Sequence, residues 1–218
     1  KMINRIKEAI GAFVTEKKTE EPEPRLVIID PDMLKEALNE EEPRSHLMGL
    51  FAEVAEDKIA ELIHGLLVVV EHEHKKKEED KIPIEFYLST YGGSADDMFA
   101  LYDIMRLVRE DVVIRTVGIG KVMSAGVLLL AAGTKGERRI AKNCRVMIHS
   151  VVGGNHGDFH NMLNEMEAIE QLQQMFVDCL VSETKMTKTR LKKMLDRKVN
   201  VYLTAEEAVE LGIADIII

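Results

Sequence analysis

The segment that most constrains this chain is Gly120-Lys121-Val122-Met123-Ser124-Ala125-Gly126, followed by the apolar run 127–132 and then Gly133-Thr134-Lys135-Gly136. A helix that is apolar all the way round has no face to give to water, so it belongs in the middle of a core. Other elements must wrap it. A single serine stands among glycines at the mouth of that helix, and further on Arg145-Val146-Met147-Ile148-His149 closes a strand-like run on a histidine.

The wrapping elements are legible as alternating periods. Extended stretches are expected at 46–51, 84–89, 112–117, 138–140, 145–149 and 214–218. Helices are expected at 57–70, 94–108, 125–132, 159–182, 188–195 and 205–211. Such alternation predicts an α/β fold with mostly parallel strands. Ahead of it, Met2, Ile3, Ile6, Ile10 and Phe13 have helical spacing, 15–24 is a charged, proline-containing linker, 26–29 reads as a short strand and 31–39 as a helix opened by Pro31. The division expected is therefore an N-terminal extension over 1–45, acting as an axial arm or a propeptide, and one domain over 46–218.

Composition narrows the class. At 218 residues, 46% hydrophobic and 31% charged, the chain reads as an ordinary globular protein of one domain, or at most two small ones. A formal net charge of −9 argues against nucleic acid as a partner, since phosphate binding wants a concentrated basic face. The one basic run, Lys75-Lys76-Lys77, is followed at once by Glu78-Glu79-Asp80 and reads as a solvated loop. Cys144 and Cys179 lack CxxC spacing and are expected as free thiols in a reducing compartment. No segment has the ~20 apolar residues of a membrane span, and 1–14 has no secretory apolar core. A cytosol-like location is expected: the cytoplasm of a bacterium or phage-infected host, or a plastid stroma.

Ser124 supports two readings from its residues alone. One is a plain helix N-cap. The other is a nucleophile, which needs a base to take its proton and paired N–H groups to receive an oxyanion. His149 at a strand end is a candidate base or simply a satisfied histidine. Gly92-Gly93, after the strand at 84–89, makes either a turn or a backbone donor that a side chain does not obstruct.

Taken in order, Tyr91-Gly92-Gly93-Ser94, Gly120-x-x-x-Ser124, the Leu-Leu-Leu-Ala-Ala-Gly-Thr-Lys-Gly run, Met147-Ile148-His149 and Tyr202-Leu203-Thr204-Ala205 resemble the proteolytic subunit of the Clp protease (ClpP), over roughly residues 46–218. The resemblance implies a ClpP/crotonase-like spiral of repeated β-β-α units with a protruding handle helix at about 155–182. It implies a serine endopeptidase with Ser124 as nucleophile, His149 as base, and the N–H groups of Gly93 and Ala125 as oxyanion hole. Gly153 and Gly154 fall on the strand that the family pairs with substrate. Tyr87 and Leu107 fall where the family docks an unfoldase. Implied partners are an AAA+ unfoldase, unfolded polypeptides, and further copies of the chain as heptameric rings stacked to a tetradecamer; no cofactor or metal is implied. Met162, Met166, Ile169, Gln173, Phe176 and Leu180 lie near one face of the handle. No Gly-x-x-x-x-Gly-Lys-Ser motif occurs, so ATP would be spent on the partner.

The chain departs from the family in three places. Ala125 replaces the usual methionine, which leaves a backbone donor intact. Ser150-Val151-Val152 replaces the usual Gln-Pro-Leu. Asn200 falls where the family has the aspartate of its triad, so the acceptor for the histidine is kept while its charge is lost. Asp196, four residues earlier, is the nearby carboxylate that would otherwise serve. Two other classes stay open: a weakly active or inactive ring-scaffold subunit, kept alive by Asn200, and a crotonase-type acyl-CoA enzyme. An α/β-hydrolase is disfavoured because Val122, not glycine, stands two residues before Ser124.

Overall fold

A computed structural model describes residues 44–218 apart from Asn155 and Lys198. The expectations for the helix, linker, strand and helix before residue 40 lie outside the described residues. One compact unit spans Arg44–Ile218. It contains β1 (His46–Leu50), α1 (Glu56–Glu73), a short 3₁₀ turn (Glu78–Asp80), β2 (Ile84–Thr90), α2 (Ala95–Val108) and β3 (Ile114–Met123). Then come α3 (Ala125–Ala131), β4 (Arg139–Ile140), β5 (Arg145–Ile148), α4 (Phe159–Glu183), α5 (Lys188–Leu195), β6 (Val201–Leu203), α6 (Ala205–Glu210) and β7 (Ile216–Ile217).

The strands form one mixed sheet in which β1, β2, β3, β4 and β7 run parallel in that order, as the alternation predicts. Every residue of α3 is buried. Val127, Leu128, Leu129 and Leu130 are wholly inaccessible, each contributing roughly 1.5–3 kcal/mol by leaving water. This helix is the hub on which α2 and α4 pack. No described helix is long and apolar enough to cross a membrane.

The strand expected at 112–117 instead continues to Met123. Its first part, Val117 and Gly118, pairs with β4, whereas Lys121, Val122 and Met123 pair with β5. The two parts are separated by a bulge: Leu88 faces Gly118, yet Thr90 faces Val122. Gly120 sits in that bulge at φ +63°, where an L side chain is strained. The glycine thus lets one strand serve two neighbours.

Strand β6 was not expected. It pairs antiparallel with β5 (Val146 with Leu203, Met147 with Tyr202, Ile148 with Val201). Three residues carry too little periodicity to show in a sequence, and only a partner strand makes them extended.

The handle helix begins at Phe159, capped by Asp158, whose carboxylate accepts from the N–H groups of His160 and Asn161. Its apolar stripe splits in two. Phe176 and Leu180 are buried in the core, while Met162 and Met166 are exposed, joined by Phe159 and Leu163. From Ile169 onward the helix turns side chains onto the domain, and before it the helix faces solvent. At its last turn Glu183 is bonded by both Arg109 terminal nitrogens (2.8 and 2.9 Å) and by Tyr102 Oη (3.0 Å), which locks α4 onto α2.

Candidate active site

The site is assembled at the ends of β2, β3 and β5. Met123 is level with Met147 across parallel strands, and the next residue, Ser124, donates its N–H to the Met147 carbonyl at 2.8 Å. That bond leaves Ser124 and His149 at adjacent strand ends. Both are half-buried.

Ser124 has φ +53° and ψ −122°, and among the described residues it is the one non-glycine at positive φ. Such a conformation costs of order 1–3 kcal/mol and persists only where its surroundings demand it. Its hydroxyl makes no capping bond to α3. The contrast with the other helix starts is informative. Ser94, Asp158, Thr187 and Thr204 each accept an N–H from their own helix, and Thr204 closes a full capping box with Glu207. The N-cap explanation of Ser124 therefore does not hold for its side chain, whose oxygen makes no bond to its own helix.

Two backbone donors flank it. Ala125 opens α3, and the first N–H groups of a helix have no acceptor inside it. Gly92 stands against Ser124 so closely that a Cβ on it would meet Ser124 Cβ at 2.6 Å. Gly93 follows at φ +150° and forms a parallel bridge with Val54. That bridge spends the Gly92 carbonyl, which accepts from Val54 N–H, and the Ser94 N–H, which donates to the Val54 carbonyl, each at 2.8 Å. The Gly93 N–H points away from it, and neither this group nor the Ala125 N–H has an acceptor among the described residues. Gly92-Gly93 is thus more than a turn. Val54, which seats it, carried no signal beyond being one apolar residue among Glu53, Ala55 and Glu56.

His149 is the first residue beyond β5. Continuing the β5–β6 register by one step beyond Ile148–Val201 sets His149 across from Asn200. Asn200 is exposed. Asp196 lies elsewhere, as the C-cap of α5, with its N–H on the Lys192 carbonyl at 2.8 Å. Among the described residues no hydrogen bond joins the Ser124 hydroxyl, the His149 ring and the Asn200 amide.

The segment after His149 holds Gly153 and Gly154, both exposed and outside any strand. Its start is tethered: Ser150 Oγ donates to the Leu195 carbonyl (3.1 Å) and Val151 N–H to Gln173 Oε1 (2.7 Å). Gln173, read from sequence as part of the apolar stripe, is in fact the polar clamp at the point where α4 meets this segment. A glutamine interrupting an apolar stripe was its only signal. Leu107 is 64% exposed on α2, while Tyr87 is half-buried on β2 with its hydroxyl donating to Glu85 Oε2 at 3.1 Å.

A half-buried hydroxyl released from capping, two unspent N–H groups beside it and an imidazole on the next strand end are the parts that acyl transfer requires. The family model for the Clp protease matches residues 43–218, which takes in the whole described unit. The chain belongs to the Clp protease family.

Proposed function

We propose that this chain is a serine endopeptidase that cuts unfolded polypeptides inside a closed chamber, fed by an AAA+ unfoldase in a cytosol-like compartment. The observation that carries the reading is Ser124: a serine held at positive φ whose hydroxyl does nothing for its own helix.

In this reading His149 takes the Ser124 proton as the hydroxyl attacks a peptide carbonyl. The N–H groups of Gly93 and Ala125 receive the oxyanion, and His149 then protonates the leaving amine. Asn200 orients the imidazole through its side-chain oxygen, without the charge that a carboxylate would bring to the imidazolium. The register across β5 and β6 favours Asn200 over Asp196 for this role. Gly153 and Gly154 offer a free backbone edge to the substrate. The exposed half of α4, with Phe159, Met162, Leu163 and Met166, supports stacking of heptameric rings into a tetradecamer, since a monomer rarely leaves so much apolar surface in one place. Leu107 and Tyr87 mark the unfoldase-docking face.

A second reading has specific support. The neutral Asn200 and the lack of hydrogen bonds among Ser124, His149 and Asn200 fit a ring-scaffold subunit that cuts poorly unless assembled with active copies. Labelling with a fluorophosphonate separates the two. The assembled wild type should be labelled and should cleave a short fluorogenic peptide, with both lost in Ser124→Ala. Unlabelled wild type of full ring mass would favour the scaffold, and a native mass of one chain would rule out the chamber.

A further inference from the structure

The chain beyond His149 is steered from its first two residues. Ser150 Oγ donates to the Leu195 carbonyl at the end of α5, a group that the helix itself leaves without a partner, and Val151 N–H donates to Gln173 Oε1 on α4 at 2.7 Å. Val152, Gly153 and Gly154 make no hydrogen bond of their own among the described residues. Hydrogen bonds therefore set the course of the segment only at its start.

The spacing along α4 matches that course. Ile169 precedes Gln173 by one helical turn, on the same face and about 6 Å along the axis. Gly153 follows Val151 by one strand repeat, about 6.6 Å along an extended chain and on the same side of it. A Cβ built on Gly153 would come within 2.5 Å of Ile169 Cδ1, so the segment runs along α4 with Val151 tied at Gln173 and Gly153 seated at Ile169. Val152, turned away between them, is 81% exposed.

Gln173 is not the residue that packing alone would favour. Because Val151 N–H is a donor, the side-chain amide turns Oε1 to it, and Nε2 is then buried with no acceptor among the described residues. An apolar residue in this half-buried place on the stripe would escape that penalty. The bond to Val151 is what the amide gains there. At position 151 the family pattern has proline, which has no N–H to give and holds its own φ near −65°. Valine does neither.

We propose that Gln173 is a positioning residue for the substrate: by fixing Val151 it holds 152–154 in the extended course with which a peptide strand pairs, and so does with a side chain what a proline does with its ring. The proposal rests on the peptidase reading of Ser124. A segment that holds the right course only part of the time weakens binding by that fraction and leaves the step after binding alone, so the effect falls on KM.

The test compares wild type with Gln173→Leu, Gln173→Glu and the double variant Gln173→Leu/Val151→Pro, all as the full, assembled chain. With a fluorogenic peptide long enough to pair with 152–154, Gln173→Leu should raise KM by ~10-fold and change kcat by less than ~2-fold. Its labelling by a small fluorophosphonate, which has no backbone to pair, should stay unchanged. Glutamate keeps an acceptor for Val151 N–H, and proline at 151 needs none, so both companion variants should return KM to within ~3-fold of wild type. An unchanged KM in Gln173→Leu, or a raised KM that neither companion corrects, overturns the proposal and spares the peptidase reading. If the wild type neither cleaves nor is labelled, that reading has failed, and amide hydrogen exchange of the peptide spanning 150–154 decides the tether. Exchange that is faster in Gln173→Leu and slow again in Gln173→Glu upholds it, and equal exchange in all of them overturns it.

Discussion

Replacing Ser124 with glycine and, separately, with alanine isolates what this residue does for stability from what it does chemically. At φ +53° and ψ −122° a Cβ costs of order 1–3 kcal/mol. Glycine relieves that strain but widens the unfolded ensemble by ~0.4–1 kcal/mol, so Ser124→Gly should stabilise the protein by about 1 kcal/mol. Alanine keeps the strain. Because the Ser124 hydroxyl makes no capping bond, Ser124→Ala should also escape the ~0.5–2 kcal/mol usually lost with a serine cap and stay within about 0.5 kcal/mol of wild type. At this chain length ~1 kcal/mol moves the unfolding midpoint by roughly 2–4 °C. Thermal unfolding of the three proteins, side by side at one protein concentration, should place Ser124→Gly about 3 °C above an unchanged pair. Both variants should be catalytically dead under the proposed mechanism. A midpoint several degrees lower for Ser124→Ala, with no gain for Ser124→Gly, would show that the serine is a structural cap and would refute the reasoning.

Glu73, wholly buried, is opposed by desolvation, yet bonds from Ile82 N–H, His46 and Lys76 hold its carboxyl down at about 2, against an ordinary 4.5. A depressed carboxyl contributes stability above its unfolded pKa, so this contribution, at most ~3 kcal/mol, is full at pH 7 and fades as pH falls from about 4.5 towards 2. Glu73→Gln should therefore lower the urea midpoint at pH 7 and progressively less below pH 4.5, and a pH-independent gap would contradict this. Gly93→Ala would drive a Cβ into the Val54 carbonyl at φ +150°; peptide cleavage should drop by ~100-fold or more with the fold retained, and near-normal cleavage would remove Gly93 from the oxyanion hole. Asn200→Ala should depress kcat with little change in KM, and Asn200→Asp should at least match wild type, a ~10-fold gain being worth about 1.4 kcal/mol. A damaging Asp196→Ala beside a silent Asn200→Ala would transfer the orienting role to Asp196. Met166→Glu, on the exposed half of the handle, should shift the native mass from stacked to single rings, and an unchanged mass would mean that this face is not the contact.

What the sequence by itself determined was the identity and order of the described helices and of every strand but β6. Helix and strand periods are written in neighbouring residues, so α5 was expected at 188–195 and is found there, and α3 announced itself as a buried hub through seven residues with no polar side. The order of Ser124 and His149 and their motifs likewise sufficed to identify the family. Relations between distant segments were decided only by the tertiary structure. That β3 divides its pairing at Gly120, that three residues at 201–203 become a strand, and that Asn200 lies across from His149 all depend on non-local hydrogen bonds, which leave almost no trace in local pattern. The same holds for function at the scale of single atoms. A serine before an apolar helix is ordinarily its cap, and only the backbone angle imposed by the bond to the Met147 carbonyl and by the close approach of Gly92 frees this one from its helix.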